Sequence, residues 1–570
     1  MSLLKKLTEG VVERDLSKEG QALRNKWEAT GLLEGLKDET TKNGMSVLLE
    51  NQAKQLLKEA SSMAAGDVEG FAAVAFPIVR RVFGSLIANE LVAVQPMSLP
   101  SGLIFFLDFQ ASGDGRGGLG LEDNESLFGG ARVGSEITGG VDLTGPNAEK
   151  SFYNMNNGYT SATGSATASL LVVDSGSFGT GDADLDKLCR FDPDLVSGSV
   201  VAVAVVSASL LPQLNRSDLV AIKVTNTFAS GSQVRRLAAK SNAAGGEGIG
   251  DAFSHVRLVF AGPVGASSDD LKAQLQAGNV TLQFPIDDNL VNGSGLGSIK
   301  GDPQWALEAE ENLPELDIKI DSVAVTAKTK KLKVKWTPEL GQDLNAYHNL
   351  DAEVELTSIM SEQIALELDR EILEDLIKGA TAATMYWSRR PGKFLHRTTG
   401  LPVEGDQTGS GNLLGADFTG NVSEWYETLL ETVNDVSAQI HRKTLRGGAN
   451  FLVCGPEVAS ILEMTAGFRA KVTPDEDSGM AGAQNVGSVS KKWDVYVDPY
   501  FPRNVILVGR RGAQFLESGY VYAPYVPLQV TPTIFGVEDF VPRKGVMTRY
   551  AKKMVRPDMY GLVIVQDLLG

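Results

Sequence analysis

Cysteine is nearly absent from this 570-residue chain: Cys189 and Cys454 are the whole complement, far apart and outside any C-x-x-C pair. That excludes a disulfide framework and a thiolate zinc site, and leaves two small apolar side chains expected in the interior. Histidine is almost as scarce. His255, His348, His396 and His441 stand apart, with no H-x-x-x-H or H-E-x-x-H spacing, so no metal centre is expected. Positive charge is outnumbered, 53 Lys and Arg against 71 Asp and Glu for a net charge of −18. Such a balance argues against a protein that grips duplex nucleic acid over a broad face, where affinity comes from neutralising phosphates. Long apolar runs are missing too. The nearest approach, Val196 to Leu211, is punctuated by Ser197, Ser199, Ser207 and Ser209 and reads as a buried strand, so no membrane span is expected. The opening MSLLKKLTEGVVERDL is broken by charges within a few residues, and no export is implied.

The motifs of catalysis are lacking as well. Gly113, Gly115 and Gly118 satisfy G-x-G-x-x-G after a strand, but Leu119 to Gly130 supplies more glycine, acid and Asn where a pyrophosphate would need a helix N-terminus. Asp475, Asp477 and Gly479 suggest a calcium loop without its downstream bidentate Glu. There is no G-x-S-x-G elbow and no Walker lysine loop. Neither an enzyme nor a cofactor is expected.

What is present is a sequence of contrasting blocks. Residues 1–59 are dense in charge, with Leu3, Leu4, Leu7 and Val11 at helical spacing, and read as short amphipathic helices without a core of their own. Residues 60–70 are small and linker-like. Ile78, Val79, Val82, Phe83, Leu86 and Ile87 predict a helix, which Pro96 and the Pro100-Ser101-Gly102 turn end before an apolar strand, Leu103 to Phe109. From Gln110 to about Pro303 the chain turns to Gly, Ser, Thr, Ala and Val in short alternating runs, the pattern of a β-barrel or sandwich. Lys328 to Trp336 alternates as a strand with one wet face, and its part Leu332 to Trp336 is expected to pair with Leu103 to Phe109 as a stalk.

The longest helix is predicted over Asp351 to Lys378, where Leu356, Met360, Ile364, Leu368, Ile372 and Leu376 form an i, i+4 ladder. Its glutamates, such as Glu353 and Glu367, read as a solvated or subunit-facing stripe. A second helix, Ser423 to Lys443, precedes alternating strands and a short helix, a mixed α/β unit. The basic run Pro542 to Pro557 fits two uses equally, an electrostatic contact with an acidic neighbouring subunit or a sheet edge defended by lysine and arginine.

Four of these stretches together resemble one family, the major capsid proteins of T-even-type tailed phages. In FPIVRRVFGSLIANELVAVQPMSLPSGLIFFLDF (Phe76 to Phe109) the shared features are Arg-Arg, Leu-Ile-Ala, Val-Gln-Pro-Met and Pro-x-Gly before an aromatic strand. Leu332 to Leu373 resembles the family's passage into its spine helix, with E-L-x-Q-D-L, H-x-L-D-A and a closing D-R-E. YVYAPYVPL (Tyr520 to Leu528) and GVMTRY (Gly545 to Tyr550) resemble its C-terminal signatures. The matches cover about residues 57–110 and 330–555; the β-rich region before Lys328 departs from the family pattern.

The resemblance implies an α+β chain with the tailed-phage capsid fold (HK-ninety-seven-like): a peripheral domain around the long helix, an axial domain, an extended loop and an N-terminal arm. The boundaries expected are a removable assembly segment at 1–59, the arm and start of the loop at 60–112, and a β-rich insert at 113–303. The returning loop at 304–344 and the peripheral and axial domains at 345–570 complete them. The implied function is a structural shell protein that self-assembles into hexamers and pentamers around the genome, enclosing DNA without sequence-specific binding, within the virion capsid and after assembly in the host cytoplasm. Implied partners are a scaffolding core, a prohead protease, a portal, and vertex and decoration proteins. The family's protease cuts after Leu/Ile-x-Glu; Leu57, Glu59 and Ala60 match it, with the small-residue run beyond favouring access. The same tripeptide recurs at Leu48-Leu49-Glu50, Leu32-Leu33-Glu34, Ile372-Leu373-Glu374 and Ile461-Leu462-Glu463. Alternatives are the paralogous vertex protein and, in another class, a carbohydrate-binding adhesin carried by the insert.

Overall fold

The computed structural model of the chain describes residues 16–34, 39–60, 86–112, 163–285 (less 181, 213, 217–218, 227, 229, 247–252 and 277–279), 315–402, 418–471 and 483–568 (less 513–516, 518 and 539). Most of the helix expected over Ile78 to Ile87, all of the 60–70 linker but Ala60, the glycine loop at 113–118 and the acidic loop at 475–479 lie outside them. Contacts divide the chain into two compact units, one within Met1–Leu107, Val133–Thr138 and Ile320–Gly570, the other within Asp108–Arg132 and Gly139–Lys319.

The first unit opens with helices α1 (Leu16–Glu28) and α2 (Glu39–Ala60). Gly31, at φ +74°, turns the chain after α1, a backbone state that glycine adopts without a Cβ penalty. On α2, Met45, Leu48, Leu49 and Gln52 recur at i, i+3, i+4 and i+7, and all four are buried. A single turn, α3 (Ala88–Leu91), leads into β1 (Ala93–Val94) and β2 (Ser101–Ser112).

The second unit then begins with β3 (Thr163–Ala168), β4 (Leu171–Ser177), α4 (Ala183–Leu188) and β5 (Ser199–Ser207). It continues through β6 (Lys223–Val224), β7 (Ser232–Ser241), β8 (His255–Val264), α5 (Ser268–Gln276) and β9 (Val280–Pro285). Two sheets, β4-β5-β8-β7 and β3-β9-β6, share one apolar core. Strand β5 explains the serine-punctuated run at 196–211: Val200, Ala202, Ala204 and Val206 enter that core, while Val201 and Val203 enter a second one with Leu185 of α4. Both faces are covered, so the strand is apolar throughout rather than alternating.

The return path differs from expectation. Strand β10 (Glu315–Thr326), which the sequence reading did not anticipate, pairs with β2 as a two-stranded ribbon. The Ala327 N–H donates to Pro100 O at 2.9 Å, so the end of β10 meets the start of β2. The strand expected to form that stalk, β11 (Lys328–Lys335), instead pairs antiparallel with a C-terminal strand, β20 (Pro542–Met554), from Lys328 opposite Tyr550 to Lys335 opposite Arg543. Its exposed lysines suit the edge it occupies in the sheet order β1-β18-β20-β11.

Next come α6 (Pro338–His348), capped by Thr337 and ended by Asn349 at φ +53°, and the long helix α7 (Ala352–Gly379). At the usual rise α7 is about 42 Å long. Asp351 caps it, its carboxylate accepting from the Glu353 N–H at 2.9 Å. Of the predicted ladder Met360, Ile364, Leu368, Ile372 and Leu376 are buried, and Leu356 is half-buried. The remaining elements are β12 (Thr384–Ser388), α8 (Val422–Thr444), β13 (Phe451–Cys454), α9 (Pro456–Glu463) and β14 (Phe468–Ala470). Then follow β15 (Gln484–Val489), β16 (Trp493–Val497), β17 (Val505–Gly509), β18 (Tyr520–Val530), β19 (Ile534–Phe535), β20 and β21 (Tyr560–Gln566).

A seven-stranded sheet, β12-β21-β17-β13-β16-β15-β14, lies between two cores. On β13, Phe451 and Val453 join the core of α7, and Leu452 and Cys454 join that of α8. The period-2 alternation of a strand is thus what separates the α7 side from the α8 side.

Candidate functional site

Leu57, Glu59 and Ala60 occupy the last turn of α2, whose final helical residue is Ala60. The other matching tripeptides are differently placed. Leu48 and Leu49 are buried at mid-helix, and Glu50 is tied to Lys26 at 2.7 Å. Leu33 is buried in the turn after α1, and Ile372, Leu373, Ile461 and Leu462 are buried in α7 and α9. A protease takes its substrate extended, so a helical bond must first unwind. The last turn of a helix unwinds at least cost, because its final carbonyls make no intrahelical bond.

Helices α1 and α2 form a hairpin held by charge on its outer side: Arg24 bonds Glu28 at 3.1 Å and also Glu39, and Lys26 bonds Glu50. Its inner side belongs to the main core of the first unit. Trp27, Leu33, Met45 and Leu49 fall in one cluster with Leu91 and Met360, and with Tyr522 and Leu528 of β18. This is the correction to the expectation for residues 1–59: the helices indeed lack a core of their own, but they share that of the unit behind them. The signal was present in the Met45, Leu48, Leu49, Gln52 spacing. Asn51 adds the polar fastening, its amide Nδ2 donating to Met97 O at 3.0 Å and Tyr525 O at 3.2 Å.

Helix α7 is seated differently. Its polar side meets β11, β18 and β20 through an ionic cluster centred on Glu371, which pairs with Lys330 at 2.5 Å and with Lys552, and accepts from the Tyr550 hydroxyl at 2.6 Å. Lys552 also reaches Asp375 at 2.6 Å, and Asp375 accepts from the Tyr520 hydroxyl at 2.8 Å. Burial works against charge on Glu371, but the two ammonium groups and the phenol outweigh it and hold the carboxyl down at about 2. Near the helix start, Glu353 accepts from Lys544 at 2.7 Å and from the Thr533 hydroxyl at 2.8 Å. Lys330 also meets Glu367 at 2.7 Å. Glu353 and Glu367 are therefore partners of the chain's own sheet, not a merely solvated stripe.

The edge reading of the basic run falls: strand β20 lies between β18 and β11, and its Lys544 and Lys552 pair with α7 of the same chain.

Asp369, on the side of α7 turned toward α3, is the opposite case to Glu371. Burial raises its carboxyl to about 7, although the backbone N–H groups of Ile87 and Ala88, at the start of α3, donate to it. The two cysteines are free and buried, and burial pushes each thiol up to about 12, out of reach of thiolate chemistry. Among the described residues, no three His, Cys, Asp or Glu gather as a metal site, and no helix is long and apolar enough to cross a membrane.

Comparison with known proteins places these features. A family model described as "Major capsid protein Gp23" matches residues 68–568, a range that includes the β-rich region set apart above. The chain is 30% identical over 312 residues to a major capsid protein of Vibrio phage KVP40, covering 52% of this chain and 55% of that protein. It is 23% identical over 295 residues to a capsid vertex protein of Escherichia phage AR1, covering 50% of this chain and 60% of that one. The chain thus spans about half the length of the relatives it matches. A solved chain from Mycobacterium phage Che8 aligns with 50% of this chain and 81% of its own at 12% identity and a TM-score of 0.27.

Proposed function

Because this chain belongs to the family of the major capsid protein Gp23, we propose that it builds the phage shell by self-association. The observation that carries this reading is the β2–β10 ribbon. Leu103 and Phe105, 51% and 41% exposed, share one face of β2, and Ile318 and Ile320, 67% and 63% exposed, share one face of β10. A two-stranded ribbon is marginal on its own in water, and one that also shows large apolar side chains needs a covering surface. In a closed shell that surface is supplied by other copies.

On this reading residues 113–303 form a β-rich insert carried by the ribbon, which the second compact unit supports. A prohead protease trims the chain between Glu59 and Ala60, supported by the position of that bond at a helix end and the burial of its competitors. Scaffold, portal and decoration proteins are its further partners, and assembly takes place in the host cytoplasm. The vertex role is the second reading, favoured by the similarity to a capsid vertex protein but at lower identity, 23% against 30%. Electron microscopy of the purified protein should show shells, tubes or sheets of hexagonal arrays. A chain that stays monomeric at high concentration, both whole and after trimming at Glu59, overturns the proposal; particles carrying it at fivefold positions alone favour the vertex role.

A further inference from the structure

Each compact unit has an apolar feature left in water, a projecting turn on the first and a cavity in the second. The turn joins β19 to β20. Ile534 pairs with Arg543 and Phe535 with Pro542, and the turn is tied further by Gly536 N–H to Val541 O at 3.1 Å and Phe540 N–H to Gly536 O at 3.0 Å. Phe540 stands at φ +52°, a backbone state that a bulky residue seldom adopts and that persists only where surrounding bonds hold it. Phe191 shares that state, but there it ends α4 and closes the helix through its N–H to Asp186 O at 3.0 Å; Phe540 has no helix to end. The strained residue also displays its ring: Phe540 is 73% exposed, with Phe535 at 63% and Val537 at 92% beside it. A tied turn that holds three large apolar side chains in water stabilises nothing in its own fold and is shaped for a partner.

The cavity lies at one end of the sheet β4-β5-β8-β7, where β5 and β7 begin and β8 ends. Near that end register slips on both sides of β8, between Ser199 and Val201 of β5 and between Val234 and Ala239 of β7. Such bulges bend strands and re-aim side chains. The space has a volume of about 490 Å³ and is walled largely by Leu195, Val196, Phe228, Val234, Pro263 and Val264. Its size is that of a binding pocket, roughly 300–1,000 Å³, and admits an aromatic ring. Val196 and Val264 are each 61% exposed, which puts them on its open side. Arg236, the cation on its wall, already bonds Asp192 at 2.6 Å, and a neutral apolar group suits the remaining space.

We propose that the Phe540 turn of one copy docks in this cavity in the second unit of a neighbouring copy. The two surfaces differ, so the contact is head-to-tail, and head-to-tail contacts repeated about an axis close into rings. A hexamer or pentamer is such a ring. The proposal rests on the self-association read above and adds which surfaces meet.

The test mixes two variants of the full, uncut chain, each altered only at exposed positions. Phe540→Ser removes the ring and keeps the cavity, and V196D/V264D charges the open side of the cavity and keeps the ring. Both should retain the parent's urea midpoint. By sedimentation velocity, each variant alone should associate at least about tenfold more weakly than the parent, the loss expected when one phenylalanine is no longer buried. Mixed in equal amounts, the two should form one-to-one pairs and nothing larger, because one intact turn then meets one intact cavity. Association of either variant at the parent's strength overturns the proposal. So does a mixture that forms no pairs, the result expected if the ring fills a cavity of its own chain. If the parent itself stays monomeric, the self-association reading fails and this contact falls with it.

Discussion

Two helical elements lie against the sheet that contains β18 and β20, the hairpin α1–α2 and the long helix α7, and they are fastened by different chemistry. Helix α7 combines a buried ladder from Met360 to Leu376 with a bonded ionic cluster, so that each of Glu371, Lys330 and Lys552 has several partners. The hairpin rests on Trp27, Leu33, Met45, Leu48 and Leu49, with Asn51 bonded to the carbonyls of Met97 and Tyr525. Apolar burial is strong but non-directional, and it fixes no particular set of partners. A partly buried cluster of paired charges behaves otherwise: each group holds its partners at fixed positions, so the contact is directional as well as apolar. On the proposed cut after Glu59, the difference separates a helix that stays from a hairpin that leaves.

The largest effect should come from placing a charge under α7. Leu368 is fully buried, and Leu368→Asp should cost roughly 4 kcal/mol or more, lowering the urea midpoint of the first unit or preventing its folding. The same change under the hairpin, Leu49→Asp, should cost it about 3 kcal/mol but leave the rest intact. Limited proteolysis should then cut within residues 16–60 while the urea transition of the remainder stays in place. Equal global unfolding by both variants would erase the distinction.

Two carboxyls on α7 sharpen the comparison through pH. Asp369 is raised to about 7, so the folded chain holds a proton that the unfolded chain releases near pH 4, and stability falls as pH rises between those values. Asp369→Asn keeps an acceptor for the Ile87 and Ala88 N–H groups without the buried charge. It should be more stable than the parent by on the order of 2 kcal/mol at pH 8, with the gap closing toward pH 4. Thermal melts across that range would read it; a gap independent of pH would contradict the assignment. Glu371 has the opposite sign. Its folded value near 2 lies below that of the unfolded carboxyl, so its contribution is complete above about pH 4.5 and is lost as pH falls toward 2. Because the group is partly exposed, Glu371→Gln should remove only about 1 kcal/mol at neutral pH and flatten the acid limb of the stability curve.

Much of this was legible in the residues. The long helix, α8 and three strands of the seven-stranded sheet, β13, β16 and β17, follow from periodicities that burial then obeys, and the serine-punctuated run at Val196 became a strand because both of its faces are covered. What failed were questions of partnership. Whether Leu103 to Phe109 pairs with Lys328 to Lys335 or with Glu315 to Thr326 depends on long-range register, which alternation within one strand does not encode. The lysines of β20 looked like an edge because a strand's place in its sheet is set by pairing, and their carboxylate partners sit nearly 200 positions earlier on α7. Of the candidate site, the Leu57-Lys58-Glu59 match was visible in sequence, but the burial that disfavours its competitors was not. Nor was the docking of the hairpin, whose apolar face could be seen while the core it joins could not.

The most direct measurement is the intact mass of this chain extracted from purified mature particles. The account predicts a chain that begins at Ala60 and retains α7, the hairpin gone and the long helix in place. A chain in those particles that still carries residues 1–59 would contradict it.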